Sequence, residues 1–291
     1  MTRGGLLEDE IQKSRKDDLE VVAAQPAHAV LGPIRAKTFE VPPSTTHSEE
    51  NIHMSTLGII GSGNIGTAIA RLAVNAGVPV VLANSRGPES LASLVAELGP
   101  LASAGSIEQA AEAGDVVVLS IPLTAHTSIP ASLLAGKAIL DTSNYYPFRD
   151  GRVAELDEER LTTSELVLRH FPGAGLTKAF NNILAHHIPE LARPTGSPDR
   201  SALPVAGDDA AAKSKVVRLI DQLGFDTVDA GPLAESWRFE PETTAYTRLY
   251  VADPSTPDEK LLESAAGPVS SERLNEALKN VEPVRVGARK F

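Results

Sequence analysis

The stretch Leu57 to Gly77, "LGIIGSGNIGTAIARLAVNAG", constrains the fold more than any other. A short apolar run ends in Gly61, Gly63 and Gly66 at G-x-G-x-x-G spacing, and a helical apolar pattern follows at once. The first glycine permits a tight turn, the second lets backbone approach a pyrophosphate, and the third lets the helix pack close to the strand. A helix start presents free N–H groups and a partial positive charge to such a phosphate. Glycines at this spacing also make a purely structural turn. The strand before them, the helix after them and a second strand at a suitable distance favour dinucleotide binding at Gly61, Ser62, Gly63, Asn64, Ile65 and Gly66.

From Thr56 onward, apolar strands alternate with amphipathic helices, the signature of a parallel α/β sheet. Strands are expected over 57–60, 80–83, 101–103, 116–120, 138–141, 177–180, 203–206 and 225–229. Helices are expected over 64–76, 89–98, 107–113, 128–134, 163–170 and 209–223. The predicted fold is α/β, a Rossmann-type, doubly wound, mostly parallel sheet with a small C-terminal α/β lobe. Residues 1–53 read as a poorly ordered extension, because their charged and Pro/Ser/Thr-rich composition offers little to bury. The expected units beyond it are a dinucleotide-binding Rossmann domain at 54–182, a small lobe at 183–250 that contributes to the ligand pocket, and a tail at 251–291 with a short helix. The motif set is complete from Met54, which could be an alternative start.

Composition narrows the function classes. A formal charge of −11 argues against general nucleic-acid binding, which needs clustered Lys and Arg. Zero cysteines exclude disulfides, thiol nucleophiles and thiolate metal sites. No run reaches the roughly 18 apolar residues of a membrane span, and no signal peptide is read, so the expected location is cytoplasmic. No metal site is expected, since the adjacent His186 and His187 lack any spaced ligand set.

An anionic ligand must then find a local positive site, and "VVLANSRGPES" supplies one at the end of the second strand. An acidic residue there would bond the ribose hydroxyls and repel a 2′-phosphate, whereas an arginine accommodates that phosphate. Asn84, Ser85 and Arg86 therefore select NADP(H) over NAD(H), with a hydroxyl donor and a guanidinium fork for phosphate oxygens. The plainer alternative is a solvated loop arginine.

Further candidates follow later strands. In "DVVVLSIPLTAH", Ser120, Ile121 and Pro122 reach the carboxyl edge of the sheet, where ligands bind in open α/β folds. His126 is either a polar contact near the reacting face or an ordinary loop histidine. In "DTSNYYPF", Asn144 could bond the nicotinamide ribose or carboxamide, and Tyr145, Tyr146 and Phe148 could wall a pocket for a flat ligand. Turn chemistry with aromatic core anchors is the alternative. "TKAFNNILAHHI" adds Asn181 and His187 as catalytic candidates, with His187 alternatively structural. In the tail, Leu274, Leu278 and Val281 form a short apolar stripe that either frays, docks on the core, or joins a second subunit as a homodimer.

Together, "GIIGSGNIGTAIARLA", "ANSRGPESL", "DTSNYYPFRDGR", "KAFNNI", "LPVAGDD" and "VDAGPLAESWRFEP" resemble the NADPH-dependent coenzyme F420 reductases and their NADP oxidoreductase relatives, over roughly residues 54–250. The resemblance implies direct hydride passage between the nicotinamide C4 and the deazaflavin C5, with no covalent protein residue. It places the pyrophosphate on residues 61–65, the 2′-phosphate on Ser85 and Arg86, and Ile121 and Pro122 over the nicotinamide. The family pattern ends in an apolar helical segment over the deazaflavin, whereas "WRFEPETTAYTRLY" follows here. The expected partner is a small-molecule hydride acceptor such as F420. The alternatives are a reductase of imines or small carbonyls and a non-catalytic NADP(H)-sensing protein.

Overall fold

The computed structural model describes residues 56–289, so the segment 1–53 read as an extension lies outside the described residues. In chain order the elements are β1 (Leu57–Ile60), α1 (Asn64–Asn75), β2 (Val80–Ala83), α2 (Ala92–Leu98), β3 (Ala102–Ala104), α3 (Ile107–Ala113), β4 (Val116–Leu119) and β5 (Ala138–Asp141). They continue with α4 (Pro147–Asp150), α5 (Ala154–Asp157), α6 (Thr163–His170), β6 (Gly175–Lys178), α7 (His187–Leu191), β7 (Ala202–Gly207), α8 (Ala210–Gln222), β8 (Asp226–Gly231) and α9 (Ser271–Lys279).

The strands make one eight-stranded sheet in the order β3-β2-β1-β4-β5-β6-β7-β8. β1 to β6 pair in parallel, and β7 then pairs antiparallel with β6 through Thr177–Gly207 and Lys178–Ala206. β8 follows β7 in parallel, so the last two strands run opposite to the first six. Residues 202–231 of the expected C-terminal lobe thus continue the main sheet. β1 and β4 are neighbours although β2 and β3 lie between them in sequence, and the crevice at that switch point is where open α/β sheets bind ligands.

The central strands are apolar at every position because both faces are covered. Alternate residues go to opposite layers, as a period of two requires. Leu57, Ile59, Val116, Val118 and Leu140 pack with Ile69, Leu72, Val216 and Leu219 on one face. Ile60, Val117, Leu119 and Ile139 pack with Ala110, Val167 and Phe171 on the other. Each Val, Leu, Ile or Phe among them contributes about 1.5–3 kcal/mol by leaving water. Helix α9 docks on this core through buried Leu274 and Leu278 against β7 and β8, so its apolar stripe is used within the chain.

The helix expected over 89–98 is split into a 3-10 turn at Pro88–Leu91 and α2, and two further expectations differ from the structure. No single helix spans 128–134; 3-10 turns occupy Leu123–Ser128 and Ala131–Leu134, separated by an extended Ile129. Pro130 is the cause, since its ring disfavours helical geometry in the preceding residue. Strand β6 begins at Gly175 rather than Thr177 and stops before Phe180, whose φ of 59° lies in the left-handed region.

Beneath the carboxyl end of β5 and β6 lies a buried ionic cluster. Lys178 Nζ donates to Ser143 O at 2.8 Å, to Ser164 Oγ at 3.1 Å and to Glu240 Oε1 at 3.1 Å. These use all three of its hydrogens. Arg289 donates to Glu240 Oε2 at 3.0 Å and to the Tyr145 carbonyl at 3.1 Å. Burial by itself would raise the Glu240 pKa, but the charges and hydrogen bonds of Lys178 and Arg289 outweigh it and hold the carboxyl at about 2, below the ordinary 4.5.

Glu240→Ala leaves both cations buried without their shared partner, so it should cost about 3–5 kcal/mol of stability in urea unfolding at neutral pH. A depressed carboxyl pKa stabilises the fold above the ordinary value and ceases to do so as pH falls through the folded one. The contribution of Glu240 should therefore fade between about pH 4.5 and about pH 2. An unfolding free energy unchanged in the variant would refute this role.

Candidate cofactor and acceptor site

The turn after β1 is shaped by packing at two of its glycines and left open at the third. Gly61 has a φ of 112°, and a Cβ there would stand 2.1 Å from the Ser120 carbonyl oxygen. A Cβ on Gly66 would stand 2.0 Å from the Gly61 carbonyl oxygen. Gly63 differs: an added Cβ meets nothing within 4 Å, and this residue is the N-cap of α1 without any side-chain cap. The first-turn N–H groups of a helix have no intrahelical acceptor, and no acidic residue occupies the first turn of α1. Open space over uncapped amides fits a pyrophosphate.

At the end of β2, Asn84 organises the adjoining loop. Its Nδ2 donates to Ser62 Oγ and Ser90 Oγ, each at 3.0 Å, and its Oδ1 accepts from the Arg86 backbone N–H at 2.9 Å. The glycine turn and the Ser85-Arg86 loop are thereby joined. Ser85 and Arg86 line a recess of about 330 Å³ with residues 60–63, Ile107 and residues 120–122. Arg86 is exposed and makes no ion pair among the described residues, which leaves its guanidinium available to a phosphate.

A larger cleft of about 1180 Å³ shares Ser62, Gly63, Ser120, Ile121 and Pro122 with that recess. The two cavities therefore meet over the switch point. The far walls of the cleft come from the ends of β5 and β6 and from Tyr146, Arg149, His186, Tyr246 and Leu262. Asn144 and Asn181 lock together there: Asn181 Nδ2 donates to Asn144 Oδ1 at 3.0 Å, and Asn144 Nδ2 donates to the Asn181 carbonyl at 2.8 Å. The hydroxyls of Tyr146 and Tyr246 stand 2.5 Å apart, and Asn144 Nδ2 donates to that of Tyr246 at 3.2 Å. Burial raises both phenol pKa values, that of Tyr246 most strongly, with its neighbour Tyr146 adding to the rise. The Arg149 guanidinium lies 4.7 Å above the Tyr146 ring.

The structure thus brings Gly61, Ser62, Gly63, Asn84, Ser85, Arg86, Ser120, Ile121 and Pro122 around the recess, and Asn64, Ile65, Asn144 and Asn181 around the cleft. It withholds two of the catalytic candidates from the cleft. His126 is 2% exposed, with Nδ1 bonded to the Leu123 carbonyl at 2.8 Å and Nε2 to Ser143 Oγ at 3.2 Å, because the 3-10 turn rotates it inward. His187 opens α7 pointing into the core, where its Nε2 meets the Ser264 carbonyl at 2.8 Å; burial lowers its pKa. His186 is the histidine that lines the cleft. Tyr145 is a core anchor bonded to Asp157 at 2.8 Å, so of the three aromatic candidates Tyr146 walls the cleft and Phe148, 69% exposed, packs on its ring at 5.8 Å. Arg149 lies in "DTSNYYPFRDGR" and Tyr246 in "WRFEPETTAYTRLY", stretches whose sequence gives neither a role, and Leu262 lies in no such stretch.

Two glycine substitutions should separate packing from ligand space. Gly63→Leu should fold with a near-native thermal midpoint yet lose NADP(H) binding by calorimetry, because its side chain fills the space over the α1 amides. Gly66→Ala should lower the midpoint, because its Cβ collides with backbone. Retained NADPH affinity in Gly63→Leu would refute the pyrophosphate assignment.

Comparison with known proteins bears on the family of the chain. Residues 56–145 match the family model described as NADP oxidoreductase, coenzyme F420-dependent. The structure of the protein SMa0349 from Sinorhizobium meliloti is 34% identical, aligning 65% of this chain with 91% of that one at a TM-score of 0.57. That of a candidate F420-dependent NADP reductase from Arthrobacter sp. FB24 is 25% identical over 63% of this chain and 87% of that one, with a TM-score of 0.53. YjhV of Escherichia coli is 47% identical over 53 residues, 18% of this chain and 39% of that protein. The chain spans well under half the length of the curated relatives it matches. A glycine turn matched to its helix, an arginine at the end of β2 and these likenesses converge: the chain belongs to the family of coenzyme F420-dependent NADP oxidoreductases.

Proposed function

We propose that the protein is an oxidoreductase that binds NADP(H) across the glycine turn and passes a hydride between it and a flat acceptor, such as coenzyme F420, in the larger cleft. The observation that carries this reading is the junction of two cavities at Ser62-Gly63 and Ser120-Pro122. One ends at an unpaired arginine and the other at paired tyrosines. An extended ligand with a phosphorylated end and a reactive end fits that junction.

The chain's residues have separable tasks in this proposal. Uncapped amides of α1 hold the pyrophosphate, with Gly63 leaving room for it. Ser85 and Arg86 hold the 2′-phosphate by charge-assisted hydrogen bonds. Ile121 and Pro122 form an apolar wall for the nicotinamide, and the Asn144–Asn181 pair fixes the end of β6 against β5. When bound, NADPH supplies the hydride from its C4 position. The protein's contribution is orientation and exclusion of water, which lowers barriers by several kcal/mol without a covalent intermediate.

A spectrophotometric assay of NADPH oxidation with F420, flavins and quinones tests the reading. At least one acceptor should be reduced, and label from NADPH deuterated at C4 should arrive from one face only. Oxidation by none of them would leave a sensing role in its place. Arg86→Ala should weaken NADPH binding by about 1.5–3 kcal/mol, as for hydrogen bonds to charged groups, and leave NADH binding nearly unchanged. Equal losses for both cofactors would refute the 2′-phosphate site.

A further inference from the structure

The hydroxyl hydrogens in the cleft can be counted. Asn181 Nδ2 donates to the Phe239 carbonyl at 3.0 Å as well as to Asn144 Oδ1, and Asn144 Nδ2 faces the Asn181 carbonyl. These carbonyls fix both amides, so Asn144 presents only N–H hydrogens to the tyrosines. Tyr146 and Tyr246 carry two hydroxyl hydrogens between them. The 2.5 Å contact uses one, whichever ring donates it. The other has no acceptor among the hydrogen bonds of the described residues, and both rings line the cleft. In the half-buried cleft that hydrogen points to the cleft's contents, water or a ligand, so a bound acceptor can take it without breaking any bond within the protein.

We propose that the Tyr146–Tyr246 pair donates this hydrogen bond to a heteroatom of the hydride acceptor, which selects acceptors with a carbonyl oxygen or ring nitrogen conjugated to the carbon that takes the hydride. This rests on the hydride-transfer reading above. In the balanced step, the C–H bond at the nicotinamide breaks with its electron pair and a C–H bond forms on the acceptor carbon. The π pair of the acceptor moves to its conjugated heteroatom, where negative charge develops. That charge is met by the tyrosine O–H, and one proton, passed through the pair and replaced from water, completes the reduced acceptor. The sum is NADPH, acceptor and one proton giving NADP⁺ and the two-hydrogen product.

Donors aimed at developing charge act mainly in the transition state, and burial favours a pair that stays protonated until then. Asn144 steadies the arrangement by donating to Tyr246, and Arg149, above the Tyr146 ring and bonded to the Asn144 carbonyl at 2.8 Å, holds that ring in place. The pair therefore arrives pre-oriented from two distant parts of the chain.

The test compares two kinds of acceptor in wild type, Tyr146→Phe, Tyr246→Phe and the double variant. F420 and 9,10-phenanthrenequinone develop charge on a heteroatom, whereas 10-methylacridinium takes a hydride at carbon and becomes neutral. The single-turnover rate with the first kind, divided by that with acridinium, should fall at least about tenfold in the variants. A structural role alone would lower both rates together and leave the ratio unchanged, which would overturn the proposal. A second readout needs no turnover: with NADP⁺ present, the infrared carbonyl stretch of bound phenanthrenequinone should be lowered in wild type and return toward its free value in the double variant. An identical bound spectrum in both would also overturn it. Wild type inactive with all three acceptors would overturn the hydride-transfer reading and this inference with it. An active wild type with unchanged variants would overturn the tyrosine role alone.

Discussion

Glu240 is the carboxylate on which the cleft's floor rests. It holds Lys178 at the end of β6 and Arg289 near the far end of the described chain, and its Oε1 also accepts the Thr163 backbone N–H at 3.1 Å. Ser164, beside that N–H, bonds both Lys178 and Asp141. Asp141 in turn accepts the Ser143 N–H at 3.1 Å. Residues 141–146, which form one wall of the site, are thus fixed from below by a cluster in which every lysine hydrogen has a named acceptor. The cluster is not complete, since Arg289 Nε is buried without a partner, but the satisfied lysine and carboxylate hold these residues in one arrangement.

This floor explains how a mobile-looking sequence becomes a defined cleft. "DTSNYYPF" is rich in turn formers and has short helices only from Pro147 onward. Its geometry is imposed by long-range bonds: Tyr145 to Asp157, Asn144 to Asn181, and Tyr146 to Tyr246. The phosphate side is built oppositely. There the glycine spacing is local, and the turn's shape follows from close packing of β1, the start of α1 and the residue that follows β4.

That contrast sets what the sequence made legible. The glycine spacing, the short apolar strand runs and Arg86 are short-range signals, and they suffice to place the sheet and the recess that Arg86 lines. The acceptor side was only half visible. Asn144 and Asn181 were found because each follows a strand, but Tyr246 lies 100 residues from its partner and Glu240 lies 62 residues from Lys178. No periodicity reports such separations. His126 looked available because it follows Pro122 in a loop, yet the 3-10 turn and the Ser143 contact bury it. The antiparallel insertion of β7 likewise depends on pairing with β6 that local patterning does not encode.

The separation of Arg289 from Tyr145, 144 positions along the chain, bears on the order in which the molecule becomes competent. Strands β1 to β5 pair across at most 59 positions, Leu57 with Val116, and can close earlier during synthesis than the longer contact, because closing a longer loop carries a larger entropic cost. The recess beside Arg86 is therefore formed from early material and the floor beneath the larger cleft from late material. Under the proposed function, a nascent chain would acquire its grip on a nucleotide before it has a finished chamber in which to use it.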